Sequence, residues 1–211
     1  FSFNSYQMKK LVYASLLLFM TAFCSCKFAG KITGADEGTK MDEKATYTTV
    51  AEALSKLDKK WKVLGVRIYN AGQSDECQNI FGLCWVNLID SENQIIRQTI
   101  LPETGTPDFI NDRQHLTFDG VPTVEFSADE AMKNIAGCKK LIPESYKFLN
   151  IEDYWKHYDK HEDGIVTYIK INVQEIGKEK VEANGTSQEV YYSLNFDIDP
   201  DGNIVCRELE E

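Results

Sequence analysis

Apolar residues recur at two different periods along this chain, and the switching between them outlines its elements. From Thr48 or Thr49 onward, Val50, Ala53, Leu54, Leu57 and Trp61 are spaced by three and four, which predicts a helix with one buried stripe. Three runs then alternate at period two and predict strands: Val63–Tyr69, Phe81–Ile89 and Gln94–Leu101. Asp90-Ser91-Glu92-Asn93 between the last two reads as a polar hairpin turn, and Pro102–Arg113, with its Pro, Gly and Asp, as a loop.

The pattern then restarts. Ser127 with Glu130 three residues on forms a capping-box signature. Glu130-Ala131-Met132-Lys133-Asn134-Ile135 repeats Glu52-Ala53-Leu54-Ser55-Lys56-Leu57 at an offset of 78. A further helix is predicted around Pro143–His157, with Pro143 suited to the first turn. Strands at Ile165–Ile176, Glu189–Ile198 and Asn203–Leu209 close the chain. Ile89-Asp90-Ser91-Glu92-Asn93-Gln94-Ile95-Ile96 lies over Ile198-Asp199-Pro200-Asp201-Gly202-Asn203-Ile204-Val205 at an offset of 109. The added length is assigned to the extra helix and a longer loop near Gly177–Ser187. The expected fold class is α+β, with two similar units at 47–106 and 114–211. Each is a helix packed on an antiparallel meander of three or four strands, and the two pack together because a single sheet has one face to cover.

The Glu-Ala-Met/Leu helix start, followed by strands that end in a tyrosine-rich run and an Asp-Gly-type hairpin, resembles PepSY-like modules. Val190–Val205, with Phe126–Ala136 as the helix entry, carries the likeness best, and residues 50–101 carry it more weakly. Tandem pairs of such modules occur in small periplasmic and surface lipoproteins and in β-lactamase-inhibitor-like folds. The resemblance implies binding or inhibition rather than catalysis, and it supplies no catalytic residue.

Ahead of the units the pattern changes again. Phe1–Gln7 precede Met8 and read as upstream sequence in frame. Met8-Lys9-Lys10 leads into the apolar run Leu11–Phe23 and then Cys24-Ser25-Cys26, the form of a secretory signal. The run is short of the roughly 20 residues a membrane-spanning helix needs. It resembles a bacterial lipoprotein signal, with Cys26 as the residue that would carry lipid. Ser25 fits the position before it, and Ser-Cys endings are familiar in lipoproteins of Bacteroidetes-like bacteria. Phe23 and Cys24 stand where Leu and a small residue are typical. An ordinary secretory signal cleaved nearby is the alternative. Acyl chains on Cys26 would hold the chain to a membrane at ~0.8 kcal/mol per buried methylene. Lys27, where Asp would signal retention, implies the outer rather than the inner membrane. Residues 27–46 are Gly-, Lys- and acid-rich without periodicity and read as a flexible tether. The expected location is the cell envelope, lipid-anchored and either periplasmic or surface-exposed.

Composition narrows the partners. A hydrophobic content of 43% belongs to a folded domain. With 23 basic against 33 acidic residues, a formal charge of −10, the surface repels phosphate backbones, so no nucleic-acid partner is expected.

Three constellations could carry chemistry. Asp197, Asp199, Asp201 and Glu208 fall at the first, third, fifth and twelfth positions of an EF-hand loop, with Gly202 at the sixth. Calcium could stabilise such a loop, but the flanking alternation is that of strands, and Pro200-Asp201-Gly202 is equally a plain turn. His157 and His161, spaced i and i+4 with Asp153 on the same helical face, could hold zinc in a metal-assisted hydrolase. A solvated helix end is the plainer reading, and no cofactor is required. Cys77 and Cys84 are near enough in sequence to pair after export, and Cys138 and Cys206 could link helix to sheet; buried free thiols are the alternative. The periodicity directs most of Trp61, Trp85, Trp155 and the tyrosines into the core. The expectation is a membrane-anchored, non-catalytic binding or inhibitory module with a protein or peptide partner.

Overall fold

The computed structural model describes residues 38–71, 79–110, 115–183 and 186–209. The expected leader with Cys26, most of the expected tether, Cys77 and residues 184–185 lie outside them.

Helix α1 (Lys44–Ser55) starts four residues before Thr48, because Thr46 and Tyr47 as well as Val50 face the core. The Tyr47 hydroxyl donates to the Met41 carbonyl at 2.7 Å, which ties the entering chain to the helix. Leu57 and Trp61 pack against the core from beyond the helix end. Helix α2 (Ala128–Lys140) buries Ala131, Ile135 and Cys138. Asp129 and Glu130 in its first turn and Lys139 and Lys140 in its last complement the helix dipole. Ser127 occupies the N-cap but makes no side-chain cap bond. Glu130 instead receives Lys156 Nζ at 2.6 and 2.7 Å, so the capping box is not formed.

The strands are β1 (Lys62–Asn70), β2 (Phe81–Ile89), β3 (Ile95–Leu101), β4 (Asp108–Phe109), β5 (Tyr146–Asp159), β6 (Gly164–Glu175), β7 (Lys180–Ala183), β8 (Thr186–Glu189), β9 (Tyr192–Ile198) and β10 (Ile204–Cys206). Eight of them form one sheet in the order β10-β9-β6-β5-β1-β2-β3-β4, and β7 pairs with β8 apart from it. Every pairing is antiparallel. The described residues are thus mixed α+β, a large antiparallel sheet with two α-helices against one face. Tyr47, Val50, Ala131 and Ile135 share a single core with Val66, Ile68, Val86, Tyr154, Ile169 and Phe196 of the sheet. A smaller cluster, Leu64, Ile89, Ile95 and Val121, lies under the segment that leads into α2. No helix of the described residues is long and apolar enough to cross a membrane.

The helix expected around Pro143–His157 is corrected to strand β5. Two bulges, at Phe148/Asn150 and Ile151/Asp153, interrupt its pairing with β6. Each bulge inserts a residue, so the core-facing positions run Tyr146, Phe148, Ile151, Tyr154. Steps of two, three and three blur the period-two signal, while the density of Tyr, Phe, Ile and Trp favours a strand.

The sequence repeats also align differently in space. The core-facing helix positions correspond as Thr46 with Ala131, Val50 with Ile135 and Ala53 with Cys138, not through the Glu-Ala match. The two aligned hairpins do share a turn. Asp90 N–H donates to the Gln94 carbonyl at 3.1 Å and Asn93 N–H to the Asp90 carbonyl at 2.9 Å. Asp199, Gly202 and Asn203 repeat this at 3.1 and 3.0 Å. Positive φ falls on Asn93 (63°) and Gly202 (86°) in turn. One hairpin joins β2 to β3 and the other β9 to β10, however, so turn chemistry and not strand order is what the alignment detected. The added length of the second half lies in the long β5–β6 pair and the β7–β8 hairpin.

Candidate binding face

The helices cover one face of the sheet. The other carries a row that register alone specifies: Thr99, Trp85, Arg67, Trp155, Tyr168, Asp197 and Val205 are successive cross-strand partners over β3, β2, β1, β5, β6, β9 and β10. Their chain neighbours Val66, Ile68, Cys84, Val86, Tyr154, Ile169 and Phe196 belong to the helix-side core, so alternation turns the row outward. These aromatics are half-buried by one another and by guanidinium groups, and among the described residues both helices pack on the opposite face. The Arg97 guanidinium lies 4.2 Å from the Trp85 ring centre. Arg67 lies 5.7 Å from Trp85, 5.0 Å from Trp155 and 4.6 Å from Tyr69. At the far end Arg207 lies 5.6 Å from Tyr168. Such contacts contribute about 0.5–1 kcal/mol each at exposed sites.

Ion pairs hold the row in place. Arg67 Nε donates to Asp153 Oδ2 at 2.9 Å and Arg67 Nη2 to the same oxygen at 2.5 Å. Burial pushes the Asp153 carboxyl up against the opposing pull of Arg67, and the pair raises Arg67 further. Lys170 Nζ donates to Glu152 Oε1 at 2.7 Å. The Tyr168 hydroxyl donates to Asn195 Oδ1. Asn195 N–H in turn donates to Glu208 Oε2 at 2.7 Å, so the Glu208 carboxylate satisfies backbone of β9 beyond the reach of β10.

These partners account for every residue proposed as a calcium ligand that the hydrogen bonds reach. Asp197 is held by Arg207, Asp199 accepts from Asn203 N–H at 2.8 Å, and Glu208 caps β9, while Asp201 stands exposed in the turn. The strands on either side of the turn replace the helices an EF-hand needs. Asp153, His157 and His161 are likewise not one turn of a helix. Asp153 and His157 lie on β5 about 13 Å apart at ~3.3 Å per residue, and His161 sits in the β5–β6 turn. No group of three metal-ligating side chains gathers among the described residues. Burial pushes the His157 imidazole down, which keeps it neutral near pH 7.

Cys84, Cys138 and Cys206 are buried free thiols, with Cys138 pushed up to about 12 by desolvation; the suggested partner of Cys84, Cys77, is outside the described residues. The aromatic residues divide in a way the periodicity did not suggest. Tyr47 and Tyr154 are in the core, but Tyr69, Trp85, Trp155 and Tyr168 face outward. The signal was present in Val66-Arg67-Ile68-Tyr69 and Cys84-Trp85-Val86, where the small aliphatics hold the core positions and the large rings alternate with them.

At the β5–β10 end of the row, a trough of about 630 Å³ opens over β5, β6, β9 and β10. Trp155 and His157 form one wall, stacked at 3.7 Å between ring centres and 10° between planes. Val166, Tyr168 and Val205 line it, and Asp159, Glu162, Asp197 and Asp199 supply carboxylates. Trp155 Nε1 and His157 Nδ1 are buried without a hydrogen-bond partner. Comparisons with protein-family models, curated proteins and solved structures find no match for the chain.

Proposed function

We propose that the chain is a membrane-anchored envelope lipoprotein, attached through lipid on Cys26, that acts as a non-catalytic binding or inhibitory module. The helix-free sheet face is its recognition surface for a protein or peptide partner. The observation that carries this reading is the outward row from Trp85 through Arg67 and Trp155 to Tyr168. Tyrosine, tryptophan and arginine are the residues that concentrate binding energy at protein interfaces. Here they are pre-positioned on rigid strands, so little ordering cost remains at association.

The same reading treats the body as two helix-plus-meander units of PepSY-like type. In its favour, α1-β1-β2-β3-β4 and α2-β5-β6-β9-β10 run in the same order, and β1 pairs with β5 at the centre of the sheet. The strand order is the one that a twofold relation through that pairing would give.

The test is site-specific photo-crosslinking in intact cells. A photoreactive residue at Leu83 or Arg97, on the sheet face, is expected to capture a discrete partner. The same group at Ala136 or Lys140, on the outer side of α2, is expected to capture none. Equal capture from both faces, or from the helix alone, refutes the assignment of the face. Metabolic labelling with a fatty acid, lost in Cys26→Ala, tests the anchor; label retained in that variant refutes it.

A further inference from the structure

The charges and rings of the sheet face alternate. From one side the order is Arg97, Trp85, Arg67, Trp155, and from the other Arg207, Tyr168. Trp155 and Tyr168 are direct cross-strand partners. Among the described residues, no guanidinium or ammonium contacts both of these rings. The trough lies at this interruption of the ladder.

Its lining is charged to match. Four carboxylates face one guanidinium, and Arg207 is already bound to Asp197 at 2.7 Å; Asp159 and Asp199 accept turn N–H groups, from His161 at 2.7 Å and Asn203 at 2.8 Å, and the lining keeps an excess of negative charge. Strand backbone, Val166, Val205 and the stacked Trp155–His157 pair restrict solvent beneath those charges, which strengthens their field relative to an open surface. The volume is in the range of a small-ligand or side-chain site. A cation on an apolar stem satisfies both parts, its charge toward the carboxylates and its methylenes against the rings and valines.

Trp155 Nε1 packs over Gly65 of β1, on the side of β5 away from the trough, so the occupant is selected by the carboxylates and the ring and valine walls.

We propose that the trough is the subsite for one lysine or arginine side chain of a partner peptide lying across the sheet. This rests on the sheet face being the recognition surface. The occupant is basic, extended and complementary to a chain of formal charge −10.

The probes are acetylated, amidated pentapeptides of alanine with a central Arg, Lys, Gln or Glu, together with spermidine. Each is titrated into the isotope-labelled purified full chain and followed by backbone amide shifts. The Arg and Lys peptides are expected to shift Val166, Tyr168 and Asp197 and to bind at least about tenfold more tightly than the Gln peptide. Added salt is expected to weaken them. Asp159→Asn with Glu162→Gln is expected to remove the preference. Val205→Lys, which places the chain's own cation in the trough, is expected to abolish binding with the amide spectrum otherwise retained. Gln or Glu peptides binding as well as Arg, no peptide binding to folded protein, or spermidine binding as tightly as the peptides overturns the inference. If the crosslinks from Leu83 and Arg97 persist while the peptides show no charge preference, the subsite is wrong and the face stands. If the peptides bind as expected but those crosslinks are absent, the broader face is wrong.

Discussion

Replacing Arg67 with Met should strand a buried charge at the centre of the sheet. The Asp153 side chain is 5% exposed and that of Arg67 27%, so the pair is largely withdrawn from water. Arg67→Met keeps an apolar stem among the rings but leaves Asp153 without its bidentate donor and beside Glu152. Breaking a buried pair from one side costs about 3–5 kcal/mol. The remaining Lys170 lowers Asp153 and places the loss near the lower end, about 3 kcal/mol, or about a hundredfold in the folding equilibrium. That corresponds to roughly 6–12 °C in melting temperature for a chain of this size. The sign with pH follows from linkage. In the variant the folded-state pKa of Asp153 is raised above the unfolded value of about 3.9, so the folded state binds the proton more tightly. The deficit is complete above the folded pKa and shrinks as pH falls through it. Urea unfolding near pH 7 and near pH 4.5 measures both effects. Asp153→Leu added to Arg67→Met should recover most of the loss, except for the small pH-independent share from lost ring contacts. A deficit equal at both pH values, or a double variant as unstable as the single one, refutes the reasoning.

The Lys156–Glu130 pair should be asymmetric, because the lysine side chain is 8% exposed and the glutamate 44%. Glu130→Ala is expected to cost about 2 kcal/mol by leaving a buried ammonium alone, and Lys156→Met less than half of that, both read from urea midpoints. Asn93→Gly should destabilise the chain despite the positive φ at that position, because Asn93 Oδ1 accepts the Phe118 N–H at 2.7 Å; loss of exchange protection at Phe118 is the readout. Gly137→Ala would set a methyl 2.4 Å from Ile204 Cδ1, and the repacking should cost about 1–3 kcal/mol, with faster amide exchange in β10 as its local signature.

The strands β1, β2, β3 and β6 were legible because their alternation runs nearly unbroken and one face is uniformly aliphatic. The α+β class followed from them. Strand β5 was not, since two bulges converted its alternation into a mixed period that a proline at its entrance made look helical. The helix register was misread for a different reason. Glu52-Ala53-Leu54 lies near the end of α1 and Glu130-Ala131-Met132 at the start of α2, so similar letters serve opposite ends. The candidate site was hidden by an assumption about rings. Burial of aromatics is the usual outcome, and only the cross-strand register reveals that Trp85, Arg67, Trp155 and Tyr168 form one line. Glu208 could not have been placed at all from local spacing, because its partner is the backbone of a neighbouring strand.

The central pairing of β1 with β5 joins residues 86 apart in the chain through Arg67 and Asp153, whereas most other neighbours in the sheet are hairpins. Chain entropy predicts that such distant pairing closes after the local hairpins. Arg67 and Trp155 stand on opposite sides of that seam, so the outward row exists only once it has closed. A ligand bound across the row would therefore clamp the seam, stabilising it against the two halves parting by RT ln(1 + L/Kd), with L the free ligand concentration.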